Sequence, residues 1–174
     1  MYFIRIFFVF CVLCVSMYGL SEDIKTFRAD FIQNVHSDNA AEVSYSGYIE
    51  AKSPNLAKWT YNKPLKKEIY IDGQDVVVYE PNLLQATITH LKENTDFISI
   101  LKKAVLSKDG KYRSKIGNTS YELTFKDQKP YLLDFVDEFG NAINIKFSNV
   151  VINSVIDKKD FVFIPGPDID IIHQ

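Results

Sequence analysis

From residue 27 to the C-terminus, short runs of alternating apolar and polar residues recur between turn-forming residues, a pattern that suits a meandering antiparallel sheet and little else. Tyr121, Leu123 and Phe125 alternate with Glu122, Thr124 and Lys126, and Ile143, Ile145 and Phe147 alternate with Asn144, Lys146 and Ser148. Looser alternation runs through Phe27, Ala29, Phe31, Gln33 and Val35, then Val43, Tyr45, Gly47 and Ile49, then Ala57, Trp59 and Tyr61, then Ile69 and Ile71. The breaks carry turn chemistry: Ser53-Pro54-Asn55, Asp72-Gly73, Glu80-Pro81-Asn82, Asp109-Gly110, Gly117-Asn118 and Phe139-Gly140-Asn141. About ten or eleven strands follow, more than one flat sheet holds without curling, so the expectation is a curled, barrel-like sheet.

One segment breaks the period. Between residues 96 and 107 the apolar residues Phe97, Ile98, Ile100, Leu101, Ala104 and Val105 recur at spacings of three and four, with Lys102 and Lys103 on the other side. This predicts an amphipathic helix with Thr95 or Asp96 as its N-cap. A sheet that already forms a wall would be plugged or covered by it. Residues 21–26 could add a turn or two, too short to stand alone.

The N-terminus sets the compartment. Arg5 precedes an almost unbroken apolar run from Ile6 to Tyr18, shorter than a membrane span and followed at once by Ser21, Glu22 and Asp23. Residues 1–20 are therefore expected to be a secretory signal peptide, and residues 21–174 one domain. Cys11 and Cys14 both fall inside the apolar run, so the mature chain would contain neither a disulfide nor a thiolate metal site. Neither cysteine has the small preceding residue of a lipidation site, because Phe10 and Leu13 stand there.

Removing the signal takes Arg5 from the 20 basic residues and none of the 22 acidic ones, leaving a formal charge of −3. That balance argues against a nucleic-acid binder and should keep the free chain off anionic membrane surfaces.

Catalytic chemistry is absent from the pattern. His36, His90 and His173 lie far apart, the seven glycines are scattered, and no nucleophile or metal-ligand spacing is present. No cofactor is called for. Trp59, the single tryptophan, packs in the core or contacts a ligand. Lys102, Lys103, Lys108, Lys111, Arg113 and Lys115 form a basic stretch, either a solvated face or a docking surface for an anionic group.

The ordered succession of several short motifs resembles the LolA family, periplasmic carriers of lipoproteins between the two membranes of Gram-negative bacteria. The motifs are Phe27-Arg28-Ala29-Asp30-Phe31-Ile32-Gln33, Ser46-Gly47-Tyr48-Ile49 and Ser53-Pro54-Asn55-Leu56-Ala57-Lys58-Trp59. They continue with Asp72-Gly73-Gln74, Tyr79-Glu80-Pro81, Gln85-Ala86-Thr87, and Asp160-Phe161-Val162-Phe163 followed by Pro165. The resemblance implies a mainly β fold with a few helices, an incomplete, unclosed antiparallel β-barrel covered by an α-helical lid. It implies a monomer, in the periplasm, with lipoprotein acyl chains as ligand, an inner-membrane ABC transporter as loader and an outer-membrane acceptor, LolB-like or of another kind. Trp59, Tyr61, Phe97, Ile98, Ile100, Leu101 and Val105 would then form the cavity and lid. The same fold also carries other lipids or serves as a lipoprotein sensor.

Two positions depart from the family pattern. Many members have an arginine before the proline of the Ser53-Pro54-Asn55 motif, where it bonds the lid; Ser53 stands there in this chain. A hydroxyl does not replace a guanidinium, which leaves Lys52, Ser53 and Lys58 as candidates for a different latch. Ala57 stands where many members have phenylalanine.

Overall fold

A computed structural model describes residues 24–37 and 42–174. The signal-peptide expectation, including Cys11 and Cys14, falls outside the described residues, as does most of the possible short helix at residues 21–26. Of that segment, Ile24 and Lys25 are not helical and Thr26 already opens a strand.

Among the described residues, twelve strands form one sheet. In chain order they are β1 (Thr26–His36), β2 (Val43–Lys52), β3 (Leu56–Lys63), β4 (Lys67–Asp72), β5 (Asp75–Glu80) and β6 (Gln85–His90). After a helix α1 (Phe97–Lys103) come β7 (Val105–Leu106), β8 (Tyr112–Ile116), β9 (Thr119–Lys126), β10 (Lys129–Val136), β11 (Ala142–Ile152) and β12 (Asp170–His173). The lateral order is β12-β6-β5-β4-β3-β2-β1-β11-β10-β9-β8-β7, so β12 and β7 are edges that do not pair with each other. The sheet is open.

Two long meanders meet at β1, which pairs antiparallel with β2 on one side and β11 on the other. Alternation along β1 is strict where it matters: Phe27, Ala29 and Phe31 are buried, whereas Asp30 is exposed and Arg28 half-buried, paired with Glu50 on β2 at 2.8 Å. The inward residues of β2, β3, β9, β10 and β11 join them in one apolar core, with Ile49, Leu123, Leu133 and Phe147 fully enclosed. Gly47 is required for this packing. A Cβ there would lie 2.0 Å from the Thr60 carbonyl oxygen and 2.8 Å from the Phe31 ring, so the bare backbone lets that ring lie across β2.

The last strand departs from the antiparallel expectation, since β12 runs parallel to β6. Its cause is the path of the preceding segment. After β11 the chain crosses the outer face of the sheet, where Ile156 and Phe161 pack on Leu56 and the Phe163 ring lies 5.5 Å from Tyr70 and 5.2 Å from Tyr79. It therefore reaches the far edge running in the same direction as β6.

Candidate functional site

The inner face of the sheet is occupied by α1. Asp96 is the N-cap: its carboxylate, fully buried, accepts from the Ser99 backbone N–H at 3.0 Å and from the Ser99 hydroxyl at 2.5 Å. At the other end Ala104 is extended and donates its N–H to the Leu101 carbonyl. Seven residues are too few to hold a helix in water, so tertiary burial must supply its stability. Phe97, Ile98, Ile100 and Leu101 are all at most 4% exposed, and the Phe97 ring lies 4.5 Å from Phe27 and 5.2 Å from Phe147. Lys102 and Lys103, in the last turn, face solvent.

The helix ends earlier than its apolar periodicity suggests. Val105 does not belong to the helix or to the interior: it lies in β7, pairs with Arg113 and is 70% exposed. Spacing alone placed it on the helix, but Ala104 is extended at the C-cap, and β-branched Val105 and Leu106 then satisfy their backbone groups against β8.

Between α1 and the sheet wall lies a cavity of about 220 Å³ whose lining includes Gln33, Trp59, Tyr61, Ile100, Phe135 and Ile145. No lining residue is charged. Its principal polar contact is satisfied internally, because the Tyr61 hydroxyl donates to the Gln33 side-chain oxygen at 2.9 Å. Burial, and secondarily Tyr45, pushes the Tyr61 pKa upward, so the hydroxyl stays a neutral donor. Trp59 is half-buried, edge-on to Phe31 at 5.1 Å. An uncharged, largely apolar lining suits hydrocarbon. Two larger hollows, of about 490 and 480 Å³, carry Arg113 and Glu122, and Asp134 and His36, in their walls and suit water better.

Of the residues singled out in the sequence, Trp59, Tyr61 and Ile100 line this cavity, and Phe97, Ile98 and Leu101 fill the space beside it. Gln33, Ile69, Ile71, Tyr121, Leu133, Phe135 and Ile145 line it as well. Most sit on alternating faces visible in the sequence, but choosing among them requires knowing where the sheet curls.

Of the three latch candidates, Ser53 alone makes a hydrogen bond with α1, and it accepts there rather than donates. Lys52 donates to the Ile156 carbonyl, and Lys58 sits 3.7 Å from Glu68 and 4.7 Å from the Tyr70 ring centre; neither reaches α1. Instead Lys102, on α1 itself, donates to the Ser53 hydroxyl at 3.0 Å and to the Pro54 carbonyl at 3.3 Å. The cation is on α1 and its acceptors are in the β2–β3 turn. Ala57 is fully buried, opposite Ala51 and Ile71.

Two of the six cations of the basic stretch, Lys111 and Arg113, pair with carboxylates. Arg113 makes a forked contact to Asp109 at 3.0 and 2.7 Å and reaches Glu122 at 2.6 Å, while Lys111 also pairs with Glu122. The Arg113 hydrogen bonds hold the Asp109 carboxyl down at about 2. His90 pairs with Asp75 and His36 with Glu42. Among the described residues no three acidic, histidine or cysteine side chains gather as a metal site, and no helix is long and apolar enough to cross a membrane.

Residues 22–116 match the family described as "Outer membrane lipoprotein carrier protein LolA". An outer-membrane lipoprotein carrier protein of Helicobacter pylori (strain HPAG1) is 47% identical over 154 residues, 88% of this chain and 83% of that protein. Another of the same name, from Helicobacter hepaticus, is 38% identical over 169 residues, 97% of this chain and 94% of that one. Among solved structures, an uncharacterized conserved protein from Thermus thermophilus superposes with a TM-score of 0.54 at 12% identity, covering 88% of this chain and 93% of that one, which shows a shared fold.

Proposed function

This chain belongs to the LolA family of outer-membrane lipoprotein carrier proteins, and from that premise we propose that α1 is a plug which lipoprotein acyl chains displace. The protein is a lipoprotein carrier. The observation that carries the plug reading is the mismatch between the interior and its contents. The cavity left beside α1, about 220 Å³, falls below the roughly 300–1,000 Å³ of ordinary ligand sites, whereas the helix fills the rest with four apolar side chains.

Magnitudes favour this exchange. Burying one sixteen-carbon chain is worth roughly 12 kcal/mol at about 0.8 kcal/mol per methylene. Held unopposed, such a ligand would leave very slowly. Displacing Phe97, Ile98, Ile100 and Leu101 costs roughly 6–12 kcal/mol at about 1.5–3 kcal/mol each if they become exposed. The two terms are of one size, so cargo is held without being trapped. The Lys102 contact, being exposed, contributes at most about 1 kcal/mol and sets the plug's position more than its strength.

In this reading the mature domain spans residues 21–174 and works in the periplasm, where no bilayer shields the acyl chains. An inner-membrane ABC transporter supplies the cargo, and an outer-membrane acceptor, LolB-like or of another kind, removes it. Trp59, Tyr61 and Ile100 meet the acyl chains, and Phe97, Ile98 and Leu101 yield their places to them.

Mass spectrometry of molecules bound to protein taken from the periplasm tests the function, with acylated N-terminal peptides as the expected finding. Recovery of only free lipid, together with failure to release lipoprotein from inner-membrane vesicles, would refute it.

A further inference from the structure

The antiparallel meander places the β3–β4 and β5–β6 turns at the same end of the sheet, because Glu68 at the start of β4 pairs with Tyr79 at the end of β5. Two strand spacings separate the turns, about 10 Å. Their tips carry Leu65, 66% exposed, and Leu83 and Leu84, 64% and 51% exposed. Single exposed apolar residues are ordinary, but here four of the five exposed leucines and phenylalanines among the described residues lie on hairpin tips, and three of them on this adjacent pair. The fourth, Phe139, tips the β10–β11 hairpin.

The β3–β4 tip is basic, whereas the β5–β6 tip, Pro81-Asn82-Leu83-Leu84 after Glu80, carries no lysine or arginine. Residues 62–67 read Asn-Lys-Pro-Leu-Lys-Lys, with no acidic residue, in a chain whose net charge is negative. Lys63 and Lys66 are exposed on either side of Leu65, and Lys67 turns back over the Tyr61 ring at 4.7 Å. That contact joins the tip to the cavity. Tyr61 and Ile69, four residues before and after Leu65, both line it.

We propose that the β3–β4 and β5–β6 tips are a bilayer-contact site, with Leu65, Leu83 and Leu84 entering the acyl boundary and Lys63 and Lys66 meeting anionic headgroups. The tips are separate convex points on one rim, a shape that a bilayer accepts anywhere on its surface. Lysines beside an inserted leucine stand at headgroup depth. The chain's slight net negative charge opposes general adsorption to an anionic surface, and the lysines of the β3–β4 tip offset it locally. The inference rests on the carrier reading, since a cargo exchanged with membranes gives the cavity's end a reason to approach one.

The test is flotation of the mature protein with vesicles of phosphatidylethanolamine and phosphatidylglycerol. The parent should float at low salt, and Leu65→Glu and Leu83→Glu should each weaken binding about tenfold or more. Lys66→Gln should weaken it less and reduce its salt dependence. Val155→Glu is the control: Val155 is 93% exposed but follows Ser154, whose carbonyl accepts from Thr26 at the opposite end of the sheet. It should change nothing. All four positions are exposed, so thermal unfolding should match the parent's.

A parent that does not float, or a Leu65→Glu variant that floats as well as the parent, overturns the site and points to a protein partner for these leucines. Uptake of a diacylated lipopeptide from detergent, followed by Trp59 fluorescence, separates this outcome from failure of the carrier reading. Intact uptake with lost flotation in Leu65→Glu supports the site; absence of uptake by the parent would strike the carrier reading itself.

Discussion

The sheet is covered on both faces, inside by α1 and outside by the chain that follows β11, and the two covers are attached in different ways. Outside, Ile156 and Phe161 close over Leu56, Phe163 lies against Tyr70 and Tyr79, and the segment ends as a strand paired with β6. Backbone bonding and apolar contact act together there. Inside, α1 forms no ladder with the sheet: Phe97, Ile98, Ile100 and Leu101 are held by burial, with Lys102 as one exposed polar tie. Apolar contact is non-directional, so acyl chains can replace it, whereas paired backbone groups would be left unsatisfied if the outer segment lifted. On the proposed function, the outer cover stays while the inner one gives way to cargo.

The sharpest break in this comparison is Phe161→Ala. It should lower stability by about 3 kcal/mol or more, measured by chemical denaturation, with lipopeptide uptake per folded molecule unchanged. Uptake lost in parallel would mean that the two faces are not independent.

Leu101→Glu should act in reverse. The charge can escape to water by undocking α1, limiting the stability loss to about 1–3 kcal/mol, but acyl chains in the interior exclude that water. Near-native circular dichroism with lost lipoprotein release from inner-membrane vesicles is expected. A folded variant that accepts cargo as the parent does would remove this helix face from the site.

Smaller changes tune the plug. Asp96→Ala removes the N-cap and should cost about 1 kcal/mol of stability, with uptake accelerated because the helix undocks more readily. Stopped-flow Trp59 fluorescence would show it. Slower uptake would mean that α1 must stay helical to admit cargo. Lys102→Ala should have the smallest effect, under about 1 kcal/mol and a few-fold in uptake rate. Ser53→Ala should match it, and additive losses in the double variant would show that the two do not form one contact.

Much of this architecture is legible in the residues. Phe27, Ala29 and Phe31 face inward on β1 as their period of two requires, and Asp96 caps the one segment whose period approaches 3.6. The turn residues at Asp72-Gly73 and Phe139-Gly140-Asn141 lie between strands where their chemistry places them. Val105 shows where this reading ends. Its spacing fits the helix, but the pairing that β8 offers is a contact with residues further along the chain, and no local period records it. The direction of β12 is similar, fixed by the route of the preceding segment over the outer face.

What the sequence determined by itself, then, is the alternation that makes a sheet, the interruption that makes one helix, and the ordered motifs that place the chain in its family. Which inward side chains border the cavity, how α1 fills the interior, and the meeting of Lys102 with Ser53 across 49 residues of chain emerge from the assembled fold. The reason is physical: periodicity is set by bonds between near neighbours, whereas the curl of a twelve-stranded sheet accumulates over every strand and fixes contacts that no single segment encodes.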